Sequence, residues 1–259
     1  MSAKLFTHPE RIGEIITAHL PELLTSLGTP ACWWLRYRSP QETDHLRLRL
    51  HTTPGRYAAC SAAVGEWTAR MRQAGLVGRL VFDTYFPEVG RYGQGEALEA
   101  AENVFVADSA TVTALLRHLP AVEPNLALVV ANMVGIVAGF VGDIGEAMGW
   151  LTARPVPAAT VDRAVAERAI WLATDPARVR SLTGWHGDIE RAWNRRADAL
   201  AGYREALPPE TNTDVVLESL LHLHHNRLIG IDRDSERACR RLARRAALAW
   251  RHRPCGAAR

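Results

Sequence analysis

CWWLRYRSPQETDHLRLRLH, residues 32–51, sets the architecture of the chain. Its second half alternates: Leu46, Leu48 and Leu50 against His45, Arg47, Arg49 and His51. Along a strand successive side chains point to opposite faces. One face is therefore leucine and requires a core. The other carries two guanidiniums flanked by two imidazoles. Cys32–Tyr37 is aromatic and apolar and reads as the partner strand. SPQETD between them is rich in turn formers, which predicts a hairpin. Neighbouring strands lie about 4.8 Å apart, so Arg36 or Arg38 is expected to join Arg47 and Arg49. Alternating Leu and Arg also describes any half-buried strand with a solvated face. Taken alone, the stretch leaves both readings open.

Working outward, residues 8–27 read as a helix: Pro9 suits its first turn, and Ile12, Ile15, Ile16, Leu20, Leu23 and Leu24 recur at helical spacing. Past the hairpin, a helix is predicted over 56–74, with Val64, Trp67 and Met71 on one side and Gly75 at its end. The β-branched and aromatic residues 77–86 predict a third strand; if it neighbours the hairpin, its C-terminal loop brings Arg91 to the same end of the sheet as Arg47 and Arg49. This order predicts an α+β fold, with a small mixed or antiparallel sheet in the N-terminal half. Gly90, Gly93 and Gly95 mark a tight loop. A helix over 96–107 follows, then a second over 111–119 capped by Asp108-Ser109.

Residues 126–141 are the most apolar run, but a membrane-spanning helix needs about 20 apolar residues. This one contains Asn132 and runs into Asp143 and Glu146, so it is read as a buried core helix. Gly135, Gly139 and Gly142 would let another helix approach. Helices are predicted over 158–174, 177–207 (with a break at 184–187), 214–228 and 235–250, with Trp171, Trp185 and Trp193 as packing anchors. The reading is one domain, an α+β part over 1–120 and a helical part over 121–259, with the sheet packed against the helices.

Composition narrows the function classes. A length of 259 residues allows a substantial core. Hydrophobic residues are 47% and charged residues 23%, as in ordinary globular proteins. The net charge of +3 makes no case for direct nucleic-acid binding. The basic run RACRRLARRAALAWRHR, residues 237–253, is either a solvated helix face or a docking surface for an acidic partner. Cys32, Cys60, Cys239 and Cys255 form no CxxC pair and no zinc spacing. No cofactor or metal is expected. MSAKLFTHPE has no secretion-signal core, so the expected setting is reduced and cytoplasmic, with no membrane.

Three arrays carry chemistry. The first is His45, Arg47 and Arg49. The second is Glu88, Arg91 and Tyr92, in a glycine-rich loop after a strand. The third is HLHHNRLIG, residues 222–230. On a helix, His222, His225 and Asn226 share a face. Two histidines so spaced suit a metal, but no third ligand accompanies them. Interior structural histidines and a proton-transfer histidine are the remaining readings.

WLRYRSPQETDHLRLRL (34–50), YFPEVGRYG (85–93), AENVFVADS (101–109) and SLLHLHHNRLIGIDRDSE (219–236) together resemble the lantibiotic dehydratase C-terminal family, also called thiopeptide-type bacteriocin biosynthesis proteins. The segments occur in the family's order and span nearly the entire chain. The resemblance implies β-elimination of glutamate from glutamylated Ser or Thr of a ribosomally made precursor peptide, leaving dehydroalanine or dehydrobutyrine. It implies a separate glutamyl-tRNA-dependent glutamyltransferase as partner, and a homodimer is compatible with it. Carried over by motif, His222, Arg49, Arg91 and Glu88 are the catalytic set. Arg47, Arg36, His45, Tyr92, Asn226 and Arg227 are expected to bind substrate. His222 is assigned acid/base work, the arginines hold glutamate and developing charge, and Glu88 orients an arginine or carries a second proton.

Relatives in this family often read RYGG where this chain has RYGQG, a departure that touches the loop. Related stand-alone proteins catalyse a formal [4+2] cycloaddition between two dehydroalanines. They tend to have a Gly-Pro-His-type lead-in to the arginine strand and to lack part of the elimination set. This chain has ETDHLRLRL and the full Arg/Glu/Arg/His set, which favours elimination. A non-catalytic scaffold for leader peptide or partner is the third reading, and it would need no proton carrier.

Overall fold

Four antiparallel strands form one sheet in the order β2-β3-β1-β4: β1 Ser2–Phe6, β2 Cys32–Tyr37, β3 His45–Leu50 and β4 Arg79–Asp83. The computed structural model describes residues 1–118, 126–156, 158–175, 178–179 and 187–252. Leu119, Trp185, Cys255 and all of the break expected at 184–187 except Gly187 lie outside the described residues.

The hairpin forms as expected, pairing Trp34 with Leu48 and Arg36 with Leu46. β1 was not predicted. SAKLF is a short strand whose inward positions are Ala3 and Leu5, too little alternation to stand out. It pairs Lys4 with Arg47 on one side and with Val81 on the other. The expected third strand, β4, borders β1, so the condition that it neighbour the hairpin is not met.

The leucine face packs as its alternation demands. Ala3, Leu5, Trp34, Leu46, Leu48 and Leu50 join Ile12, Ile15, Ile16, Leu20, Leu23, Val64 and Trp67 in one core. The helical residues come from α1 Pro9–Glu14, the turn Ile15–His19, α2 Leu20–Ser26 and α3 Tyr57–Gln73. The turn between α1 and α2 is π-helical, with the Leu20 N–H bonded to the Ile15 carbonyl. Pro21 has no N–H for the regular bond, and the helix widens just before it.

The remaining helices are α4 Val89–Tyr92, α5 Glu96–His118, α6 Leu126–Val141, α7 Ile144–Ala153, α8 Arg163–Ala173, α9 Gly187–Ala206, α10 Thr213–Leu228 and α11 Arg233–Arg251. Side chains of Asp143, Asp162, Asn212 and Asp232 cap α7, α8, α10 and α11 by accepting from backbone N–H groups. α5 is continuous where two helices were expected. Asp108 is drawn into ion pairs with Arg196 and Arg227, and Ser109 donates back to the Phe105 carbonyl. Neither side chain is left to cap.

α6 is buried as read, and α9 lies across it. A Cβ on Gly135 would sit 2.6 Å from the Trp193 ring, so only glycine admits that contact. Among the described residues no single helix is long and apolar enough to cross a membrane. α5 serves two cores: Val112 belongs to the sheet core, while Ala101, Val104, Phe105 and Leu115 belong to the helical one. Ala and Val side chains on one long helix thereby hold the sheet and the bundle in one register.

Candidate functional site

The opposite face of the sheet is polar. Register places Ser2, Arg49, Trp33 and Asp83 in one row, and Lys4, Arg47, Leu35 and Val81 in the next. Lys4 Nζ bonds Glu42 and Asp83, each at 2.8 Å. These bonds raise the lysine pKa and depress both carboxylates. Arg47 stacks on Tyr37 at 3.3 Å from the ring centroid, and its Nη2 lies 3.4 Å from Glu42. His45 is fully covered on this face: its Nδ1 meets the Thr43 carbonyl at 2.7 Å and its Nε2 accepts from Arg47 Nε. Burial is the largest influence on His45 and lowers its pKa.

Arg49 differs from Arg47. Its guanidinium lies over the Tyr85 ring at 4.5 Å, and it takes part in no ion pair among the described residues. Its Nε is buried without a partner. Desolvation lowers its pKa, although an arginine stays charged. Tyr85 packs edge-on against Trp33; burial first, then the Glu102 carboxylate on α5, raises the phenol pKa.

The loop after β4 supplies the second array. Glu88 and Arg91 pair at 2.9 Å at opposite ends of the short α4, both well exposed. Gly93 closes the turn at φ +89°, where a Cβ would strike Ala97 at 2.7 Å. Tyr92 points inward, 3% exposed, against Phe105, with burial raising its pKa.

On α10, His222 is a third site component. Its Nδ1 lies 2.9–3.0 Å from both oxygens of Glu236 on α11, and its Nε2 lies 2.9 Å from Asn226 Nδ2. A carboxylate only accepts, so Nδ1 carries the proton and Nε2 keeps the lone pair. Burial pushes Glu236 up, but the His222 contact prevails and its pKa is lowered. His222 is 46% exposed, so a ligand has access to it. Among the described residues no hydrogen bond or ion pair joins His222 to Arg47, Arg49, Glu88 or Arg91. His225 faces Ser235 instead, and burial drives its pKa down to about 4.

Several expected binders are placed elsewhere, for reasons of register and burial. Arg36 pairs with Leu46 and therefore lies on the leucine side; its Nε donates to the Arg227 carbonyl at 3.0 Å, and burial lowers its pKa to about 10. Arg38 falls beyond the end of β2. Arg227 is 2% exposed and pairs with Asp108, and it donates to the Trp34 carbonyl. Tyr92 and His45 are likewise sealed. His45, Tyr92 and Arg227 thus present almost no surface, while Arg36 is half-buried on the leucine side. Asn226 is 4% exposed, and its Nδ2 donates to His222 Nε2 at 2.9 Å. Among the described residues no cluster of three metal-ligating side chains forms.

Lys4, Asp83, Tyr85, Glu102 and Glu236 escaped the sequence reading. Tyr85, Glu102 and Glu236 nevertheless lie inside the family-like segments, which is the signal that points to them. Residues 1–247 match the family described as lantibiotic biosynthesis dehydratase, C-terminal. The chain belongs to this family.

Other members are distant in sequence. The subtilin biosynthesis protein SpaB of Bacillus subtilis is 24% identical over 267 residues, covering 96% of this chain and 25% of SpaB. The nisin biosynthesis protein NisB of Lactococcus lactis subsp. lactis is 25% identical over 248 residues, covering 90% of this chain and 24% of NisB. The chain thus spans about a quarter of the length of these relatives. In structure, 97% of it superposes on 28% of the tRNA dependent lantibiotic dehydratase MibB from Microbispora sp. 107891, with a TM-score of 0.73 and 24% identity. It also superposes on 95% of TsrL, with a TM-score of 0.55 and 13% identity. These two likenesses establish the fold. The family match covers all three arrays, on β3, α4 and α10.

Proposed function

We propose that this chain eliminates glutamate from glutamylated Ser and Thr of a ribosomally made precursor peptide, in lanthipeptide or thiopeptide biosynthesis. A separate glutamyl-tRNA-dependent transferase supplies the glutamylated peptide. In the reaction the Cα–H bond breaks and its electron pair is held as an enolate on the peptide carbonyl. The enolate collapses to form the Cα=Cβ bond as the Cβ–O bond breaks, its electron pair leaving with glutamate. The departing group is a carboxylate and needs no proton. The catalyst must take the α-proton, stabilise the enolate oxygen of the peptide carbonyl, and hold the glutamate.

One observation carries this reading: Arg49 presents a guanidinium on the polar sheet face without a carboxylate of its own. Such a fork suits bidentate recognition of a carboxylate or an enolate oxygen. Arg47 and Lys4, partly neutralised by Glu42 and Asp83, add positive potential beside it. His222 Nε2 takes the α-proton once substrate displaces its contact with Asn226 Nδ2, with Glu236 stabilising the imidazolium that results. Glu88 orients Arg91 through their ion pair.

The test uses purified chain and a synthetic core peptide glutamylated on Ser, followed by mass spectrometry. Release of glutamate with a dehydroalanine product is expected. A peptide left untouched, while a bis-dehydroalanine peptide is cyclised and loses its leader, would replace elimination with cycloaddition.

A further inference from the structure

Where α5, α9 and α10 meet, four titratable side chains are sealed from water. Asp108, Arg196, His224 and Arg227 are each 3% exposed or less. Asp108 Oδ1 accepts from Arg196 Nη1 and lies 2.9 Å from His224 Nδ1, while Oδ2 accepts from Arg227 Nη1. Both carboxylate oxygens are thus occupied.

The charges do not balance. Two guanidiniums cannot lose their protons in a protein, and Asp108 is the carboxylate that faces them. Burial, the largest influence on His224, lowers its pKa and favours the neutral ring. One positive charge is left over in a water-excluded interior, where an uncompensated charge is strongly unfavourable.

The hydrogen bonds do not balance either. Nη2 of Arg196 and Nη2 of Arg227 are both buried without an acceptor. The rings of Trp193 and Phe105, which these guanidiniums approach, offer π density but no lone pair. Both arginines line a cavity of about 10 Å³, shared with Asp108 and closed by Val104, Ile136 and Leu220. That is about the space one small guest needs.

We propose that this cavity holds one monovalent anion of halide size, bound by Nη2 of Arg196 and Nη2 of Arg227. A water molecule would meet the two N–H groups but leave the surplus charge. Sulfate and phosphate are too large for the space. The anion completes an electrostatic joint between three helices and is no part of the polar sheet face.

Bromide is the probe. Crystals of the chain soaked in sodium bromide and measured at the bromine absorption edge are expected to show one anomalous peak in this cavity, within hydrogen-bonding reach of both Nη2 atoms. Arg196→Met removes the surplus charge and one donor, so its crystals are expected to lose the peak. Should that variant fail to fold, the wild-type measurement stands by itself. Water density without anomalous signal at the site in wild-type crystals overturns the proposal, and so does a peak that persists unchanged in Arg196→Met.

Discussion

The Asp108 cluster and the polar sheet face are assembled from the same residue types, and they do opposite things. In the cluster, one carboxylate is shared by Arg196, Arg227 and His224, and every member is buried. On the sheet face and nearby, Arg49 keeps no carboxylate, Arg91 is 47% exposed and His222 is 46% exposed. A charge sealed with its partner organises helices. A charge at an accessible face with spare bonding capacity is available to a ligand. Arginine and histidine occur in both; desolvation and a shared carboxylate separate them.

That contrast can be broken by mutation. Asp108→Asn takes the one carboxylate from two buried guanidiniums and should cost about 3–5 kcal/mol of stability, measured by urea unfolding. A cost under about 1 kcal/mol would mean that the cluster does not hold α5, α9 and α10 together. Arg49→Ala should behave conversely: release of glutamate from the glutamylated peptide should slow by roughly 10²–10³-fold. Its urea midpoint should stay near wild type, and a loss of stability matching Asp108→Asn would erase the distinction between the regions.

The pH dependence of stability sharpens the sealed side. His225 is neutral in the fold, with a pKa of about 4, and titrates near 6.5 when unfolded. Between those values the unfolded chain binds the extra proton. Stability is therefore full above pH 6.5 and declines as pH falls toward 4, by about 3 kcal/mol from this residue. His225→Gln should flatten that decline relative to wild type; parallel curves would show that His225 is not held neutral. The smallest effect belongs to a surface pair. Arg163 and Glu167 form an i,i+4 bridge in which the arginine side chain is 91% exposed. Arg163→Ala should change stability by less than about 0.5 kcal/mol, and a larger change would undo the argument from burial.

Local patterns were legible in the sequence. The leucine face of β3 was, because its alternation is complete within six residues. The burial of α6 was, because Asn132 and the shortness of the run argued for a core helix. The continuity of α5 was not legible, since Asp108-Ser109 looks like a cap until its distant partners are known. The position of Arg36 was missed for another reason. Whether it joins Arg47 depends on hairpin register, and a shift of one residue reverses the face.

What the sequence determined by itself is the set of elements and the side of each that seeks a core, because hydrophobic periodicity acts over a few residues. The assignment of charged residues to chemistry or to architecture came from tertiary structure. Asp108 and Arg227 are separated by 119 residues, and their 2.9 Å contact exists only after three helices close around it. Burial and partner saturation are properties of that closure, and no local spacing encodes them. Arg49, on β3, takes part in no ion pair among the described residues, and that too is visible only in the folded chain.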